Sequence, residues 1–262
     1  RKMSKSLGNS PEPLELIAKY SADGVRVGML LCSPAGNDLL FDEALTEQGR
    51  NFCNKIWNAF RLVNSWEIDE NIEQPEHSSL ACDWFDERLK QAIQEINAMF
   101  DEYRLSEAMM AVYKLFWDDF SSWFLEAIKP EYQKPIDVET LESAKAYFEI
   151  LLTMLHPFTP FITEELWQLS DSREDGESIM LQKWPSAGKA KPAVLENFDI
   201  ARQVISEIRN IRSTKNIPQK EKISLFINDS DNSYNDIYDP LIIKLANLGE
   251  LEYTEKKIEN AV

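Results

Sequence analysis

Thr46-Glu47-Gln48-Gly49-Arg50-Asn51-Phe52-Cys53-Asn54-Lys55-Ile56-Trp57-Asn58-Ala59-Phe60-Arg61-Leu62-Val63-Asn64-Ser65 repeats its apolar side chains at intervals of three and four, the period of an amphipathic helix. At about 100° per residue, Phe52, Cys53, Ile56, Trp57, Ala59, Phe60 and Val63 fill one arc of roughly 160°, which is expected to be core. The opposite side carries Arg50, Asn51, Asn54, Lys55, Asn58 and Arg61, with Leu62 as one apolar outlier. No carboxylate lies between Glu47 and Glu67. Such a face suits RNA: Arg and Lys meet phosphates, Asn reads base edges, and an exposed apolar group supports an unstacked base. The alternatives are a chance run of this length, or a face covered by another part of a larger protein.

The rest of the chain sharpens the contrast. Its 262 residues carry 28 Lys and Arg against 45 Asp and Glu, a net charge of −17. That average repels a phosphate backbone, yet it is unevenly spread: eight basic and seven acidic residues precede Glu67, whereas the remaining 196 residues hold 20 and 38. A composition 44% hydrophobic and 28% charged is that of a soluble globular protein, and no apolar run approaches the ~18 residues of a membrane span. Cys32, Cys53 and Cys82 form no CxxC pair and have only His77 and His156 to join them. Neither a zinc site nor a disulfide framework is expected, and a reducing cytoplasm fits. The start at Arg1-Lys2-Met3-Ser4 has no apolar signal segment and reads as the edge of a fragment of a longer protein.

Working outward, residues 1–46 read as loops around one or two short helices, broken by Gly8, Gly24, Pro34 and Gly36. After the Thr46–Ser65 helix, two more are expected between Ser79 and Ile128, meeting near Arg104-Leu105-Ser106 and stopped by Lys129-Pro130. A fourth runs from Val138 to His156, and Thr163 with Glu164 and Glu165 opens a short one through Trp167. Residues 170–193 read as a linker. A helix from Phe198 to Lys215, a strand Ile223–Ile227, a helix near Leu241–Leu248 and a weaker strand Leu251–Thr254 make a small α/β unit. The expected fold is mainly α: a helix bundle over residues 47–193, led by segment 1–46 and followed by an α/β subdomain over 194–262.

Lys2-Met3-Ser4-Lys5-Ser6, followed by Leu7-Gly8-Asn9, places two lysines three residues apart among small hydroxyl side chains. Flexible point charges and backbone donors of this kind can follow a polyphosphate as its charge develops. The same residues could also be a solvated basic loop.

Lys2 to Asn9 matches in full the KMSKS signature of class I aminoacyl-tRNA synthetases, and Tyr20-Ser21-Ala22-Asp23-Gly24-Val25-Arg26 resembles the tract that follows it there. Ser33-Pro34-Ala35-Gly36-Asn37-Asp38-Leu39-Leu40-Phe41-Asp42-Glu43, Phe116-Trp117-Asp118-Asp119-Phe120 and the tract Leu155–Trp167 resemble the valine-specific branch. The isoleucine and leucine branches share the lysine motif but usually not the Ala35–Phe41 run. The resemblance implies a ligase that makes valyl-adenylate from valine and ATP with Mg, then passes valine to tRNA(Val). Lys5, aided by Lys2 and by the backbone of Met3, Ser4 and Ser6, would hold the ATP phosphates. The catalytic domain with its HIGH motif and the editing domain would lie before residue 1, so the fragment alone is expected to be inactive. The helical domain after the motif would read the anticodon, with Lys55 foremost and Arg50, Asn54, Asn58 and Arg61 beside it. The resemblance further implies a cytoplasmic enzyme, away from membranes and monomeric.

A second basic island, Arg202 to Lys222, has six cations against Glu207 and Glu221. Arg202 and Arg209 share a side and are candidate tRNA contacts, whereas Arg212 and Lys215 fall within the apolar arc of Val204, Ile205, Ile208 and Ile211. The series Tyr113, Phe116, Trp117, Phe120, Trp123 and Phe124 reads as a core stripe, and His156 as a structural histidine. Asp118-Asp119 and the acids from Asp171 to Glu177 read as solvated surface, and no metal site is expected.

Overall fold

The computed structural model describes residues 10–33, 40–228, 236–254 and 258. Its helices are α1 (Pro13–Tyr20), α2 (Ala22–Leu31), α3 (Glu43–Asn64), α4 (Glu76–Asp101), α5 (Leu105–Lys114), α6 (Leu125–Ile128), α7 (Val138–Leu155), α8 (Pro160–Ser170), α9 (Pro192–Lys215) and α10 (Asp239–Ala246). Two strands, β1 (Ile223–Ile227) and β2 (Leu248–Tyr253), and two 3₁₀ turns, Ile179–Leu181 and Asp236–Tyr238, are also present. The fold is mainly α, as expected. Between α5 and α6 the chain passes through a π-helical stretch, Leu115–Phe124, where a continuous α-helix was expected. The chain divides into two compact units, each assembled from three stretches: residues 1–66, 89–121 and 144–188, and residues 67–88, 122–143 and 189–262.

In the first unit, Ser21 turns the chain from α1 into α2. Its backbone sits in the left-handed region (φ 66°), and its Oγ accepts the Gly24 N–H at 3.1 Å, capping α2. Asp42 caps α3 by accepting the Ala44 N–H at 2.9 Å. The α2–α3 crossing is close enough that a side chain on Gly49 would meet the Gly24 carbonyl oxygen at 2.3 Å, and one on Gly28 would meet the Thr46 Cα at 2.6 Å. Both positions therefore require glycine, and α3 is fixed in depth by the absence of two methyl groups. Its inner face buries Phe52, Ile56 and Val63. Phe52 lies 4.5 Å from Tyr113, and Phe116 and Phe120 lie 6.1 and 5.9 Å from Phe148 of α7, so much of the expected aromatic stripe is core here.

α2 also grips the start of α8. Asp23, 3% exposed, accepts the N–H groups of Ile162 at 2.7 Å and Phe161 at 3.4 Å. Arg26 donates to the carbonyls of Phe158 at 3.1 Å and Pro157 at 3.0 Å. α8 thus begins at Pro160, earlier than Thr163, and its N-terminal donors are met by a carboxylate from another helix. Thr163 is buried inside the first turn. Its hydroxyl donates to the Thr159 carbonyl at 2.7 Å and accepts from His156 Nδ1 at 2.8 Å, the structural role expected of that histidine. The expected linker is pinned at two points: Trp184 Nε1 donates to Asn97 at 2.7 Å, and Gln94 donates to the Gly188 carbonyl at 2.8 Å.

In the second unit, Trp84 stacks on Phe198 of α9 with centroids 3.7 Å apart, and Phe85 stacks on Phe124 at 4.9 Å. β1 and β2 pair in parallel, in register Ser224↔Glu250 through Ile227↔Tyr253, which requires the α10 crossover between them. Arg212, only 1% exposed, closes the end of α10 by donating to the carbonyls of Ala246 at 3.1 Å, Asn247 at 3.0 Å and Pro218 at 3.1 Å. Asp119 corrects the surface reading of its pair: it is buried, while Asp118 is exposed.

Candidate nucleic-acid interface

The outer face of α3 is built as its period demands. Asn51, Asn54, Asn58 and Arg61 are exposed, and Arg50 and Lys55 are half-buried. The two half-buried cations are held differently from ordinary surface charges. Lys55 Nζ lies 5.3 Å from the centroid of the Trp117 ring, which is itself stacked on Tyr113 at 5.6 Å. Arg50 lies 5.7 Å from the Tyr20 ring and pairs with Glu47, one turn back on its own helix, at 3.0 Å. Among the described residues, no carboxylate pairs with Lys55 or Arg61. An aromatic face steers a cation without cancelling its charge.

Two recesses open along this helix. One, of about 550 Å³, is lined by Asn58, Phe60, Arg61, Leu62, Asn64 and Ser65, at the C-terminal end of α3. The other, of about 320 Å³, is bordered by Arg50, Cys53, Asn54 and Trp57 of α3, by Ser21 and Asp23, and by Phe161 and Ile162 at the start of α8. Trp57, expected in the core arc, is 37% exposed and Phe161 is 66% exposed. The correction has a geometric reason: Trp57 lies on the margin of the arc, beside the recess it shares with Phe161 and Ile162. Trp57 was not legible as a surface group, because an apolar residue at helical spacing reads as core. Cys53 stays thiol, since burial pushes its pKa up to about 12.

The second island is differently disposed. Arg202 and Arg209 both stand over the Trp123 ring, at 5.0 and 5.2 Å. Arg202 also pairs with Asp199 at 3.5 Å, and Arg209 donates to the Leu245 carbonyl at 3.2 Å; burial lowers the Arg209 pKa. Both are engaged internally, and Arg212 is wholly so. Lys2, Met3, Ser4, Lys5 and Ser6 lie outside the described residues, as does the stretch 34–39. Among the described residues no group of His, Cys, Asp and Glu is arranged to hold a metal ion, and no helix is long and apolar enough to cross a membrane.

The profile described as "Anticodon-binding domain of tRNA ligase" matches residues 82–227, and "tRNA synthetases class I (I, L, M and V)" matches residues 1–42. Helix α3 falls between the two matches and is covered by whole-chain relatives. The chain is 53% identical over all its length to a valine–tRNA ligase of Parabacteroides distasonis, covering 30% of that protein. It is 54% identical over 98% of its length to the same ligase of Porphyromonas gingivalis, covering 29% of it, and 38% identical over 88% to that of Carboxydothermus hydrogenoformans, covering 27%. It therefore spans under a third of the length of these relatives. A solved structure described as the ternary complex of Agrobacterium radiobacter K84 agnB2 LeuRS-tRNA-LeuAMS superposes with a TM-score of 0.49 at 21% identity, over 74% of this chain and 23% of that one. The chain belongs to the class I tRNA ligases with an anticodon-binding domain, and its sequence relatives are valine–tRNA ligases.

Proposed function

We propose that this chain is the tRNA-reading portion of a valine–tRNA ligase, and that the outer face of α3 meets the anticodon arm of tRNA(Val). Residues 1–46 carry the ATP loop and its connection, 47–193 the anticodon-reading domain, and 194–262 an appended α/β subdomain. In the whole enzyme valine and ATP give valyl-adenylate and pyrophosphate, and valine then passes to tRNA(Val). Lys5, with Lys2 and the backbone of Met3, Ser4 and Ser6, would hold the ATP phosphates, whose charge a bound Mg ion would share. The whole enzyme works as a cytoplasmic monomer.

One observation carries the reading: in a chain of net charge −17, the α3 face presents Lys55 and Arg61 to solvent without carboxylate partners among the described residues. Phosphate contacts of this type release counterions, so each should contribute about 0.7–0.9 to the slope of log affinity against log salt. Fluorescence anisotropy with tRNA(Val), across a salt series, should show Lys55→Ala and Arg61→Ala each weakening binding and flattening the slope by that amount. Unchanged affinity and slope in both would instead favour a helical protein-interaction scaffold with no RNA role, a reading that the net charge of −17 also supports. Competition by tRNA(Ile) or tRNA(Leu) as strong as by tRNA(Val) would move the assignment to a sister enzyme.

A further inference from the structure

We infer that Tyr20 and Glu43 are positioning residues for the ATP step: the Tyr20 hydroxyl and the Glu43 carboxylate lock α1 onto the first turn of α3, and α1 anchors the candidate ATP loop, residues 2–6. The inference rests on the ligase reading proposed above and goes beyond it, because that reading assigns the phosphates to the loop and gives α1 no role.

Little else holds α1. Eight residues make no stable helix by themselves, so its place comes from packing. Leu16 and Tyr20 are buried, and the other six residues, Leu14 and Ile17 among them, are exposed. Tyr20 is the one of the two with a polar end. Its hydroxyl donates to Glu43 Oε1 at 2.7 Å, and Lys19 Nζ donates to the same oxygen at 2.8 Å. Consecutive residues of α1 thus converge on one carboxylate. The Lys19 pair is exposed on both sides and adds little alone, whereas the Tyr20 bond is partly buried and has a charged acceptor. Both partners, Lys19 foremost, hold the Glu43 carboxyl below its ordinary pKa, so it is ionised at neutral pH. The Tyr20 ring also lies 5.7 Å from Arg50, seven positions after Glu43, so α1 meets α3 at two points ~10 Å apart along that helix. Glu43 is the first residue past the class I match over 1–42, so the lock joins the ATP-loop segment to the helix that follows it.

In the ATP step a valine carboxylate oxygen bonds to the α-phosphorus of ATP as the bond from that phosphorus to the pyrophosphate oxygen breaks, and pyrophosphate leaves with the electron pair. Lys2 and Lys5 would act on the charge growing on that leaving group, which helps only if they stand where it develops. A displacement of about 1 Å at such a site costs up to about a hundred-fold in rate. Residues 7–12 tether the loop to α1, so freeing α1 from Glu43 is read in the rate of activation and not in the affinity for valine.

The test uses the complete ligase carrying these residues, valine-dependent ATP–pyrophosphate exchange, and single-turnover adenylate formation normalised to titrated active sites. Tyr20→Phe and Glu43→Ala should each lower the rate constant per active site on the order of ten-fold, with the KM for valine and the Kd for tRNA(Val) unchanged. Glu43→Gln, which keeps an acceptor for the hydroxyl, should recover most of the rate. The double variant should be no slower than Glu43→Ala alone, because both changes break one hydrogen bond, whereas independent damage to the fold would add. Parent-like rates in both single variants, additive losses in the double, or fewer active sites at an unchanged rate per site would each overturn the inference. A parent enzyme that exchanges no pyrophosphate with valine would instead defeat the ligase reading itself.

Discussion

Replacing Asp23 tests whether α2 truly caps α8. Its carboxylate holds the Ile162 N–H at 2.7 Å and the Phe161 N–H at the longer 3.4 Å, while Thr159, the residue at the cap position, makes no side-chain cap. Losing a helix cap costs about 0.5–2 kcal/mol, and a buried unmet donor about 1–3. With one good bond, one weak bond and a buried setting, Asp23→Ala should cost about 2 kcal/mol. Asp23→Asn keeps one acceptor and removes a buried charge, so it should stay within about 1 kcal/mol of the parent at neutral pH. The pH dependence gives an independent check. Burial raises the Asp23 pKa, against the pull of the two amides and of Arg26 and His156. An acid whose pKa is raised on folding contributes its full stability below the unfolded value, about 3.9, and loses it as pH climbs through the folded value. Asp23→Asn should therefore gain on the parent as pH rises above ~4 and hold a constant difference once Asp23 is ionised. Urea midpoints across pH give the global numbers, and amide exchange at Phe161 and Ile162 gives the local one. Unchanged exchange at those two amides in Asp23→Ala would refute the cap.

Four further outcomes follow from the same geometry. Gly49→Ala puts a methyl 2.3 Å from the Gly24 carbonyl oxygen and should cost about 1–3 kcal/mol or more in urea unfolding, with weaker tRNA binding because α3 must shift. Arg212→Met strips the donors from three carbonyls, at Pro218, Ala246 and Asn247, and should lower stability by about 2–4 kcal/mol, first seen as faster exchange in α10 and β2. Burial depresses the pKa of His156 and His77 below 6.5, so their contribution is intact above that pH and lost as pH falls through the folded values; NMR titration should find both neutral at pH 7. Trp117→Leu removes the ring under Lys55 and should raise Kd for tRNA by up to about five-fold with no change in salt slope, since the charge remains.

What was legible in the sequence was whatever repeats. Period 3.6 located α3, α4 and α7 to within a few residues and the end of α9, which begins six residues before the expected Phe198, and β1 and β2 flank a helix in the order that a parallel pair needs. Arg212 was correctly read as lying on an apolar arc, because spacing alone puts it there. The misses share one cause: they depend on a partner distant in sequence. The start of α8 is set by Asp23, 137 positions before Pro160, so the local signal at Thr163 pointed three residues too late. Asp119 is buried by what packs around the π-helical stretch, and nothing in an Asp-Asp pair announces that. Trp57 obeys the helical period and is nonetheless half-exposed, since periodicity gives an angle on a wheel and not the extent of the neighbour that covers it.

The face of α3 is thus more than an accident of composition. A lysine free in solvent must surrender rotamer freedom when it meets a phosphate, a cost of about 0.5–1.5 kcal/mol for each such side chain. Lys55 and Arg50 have surrendered part of it already, to Trp117 and Tyr20. A carboxylate does the same for Arg50, through Glu47, whereas Lys55 is ordered by a ring and keeps its full charge. Rings order without neutralising, and the acidic remainder of the chain, net −18 beyond Trp66, makes other surfaces poor rivals for the same polyanion. On the tRNA reading proposed above, selectivity for one docking face would follow from where positive charge is withheld as much as from where it is placed.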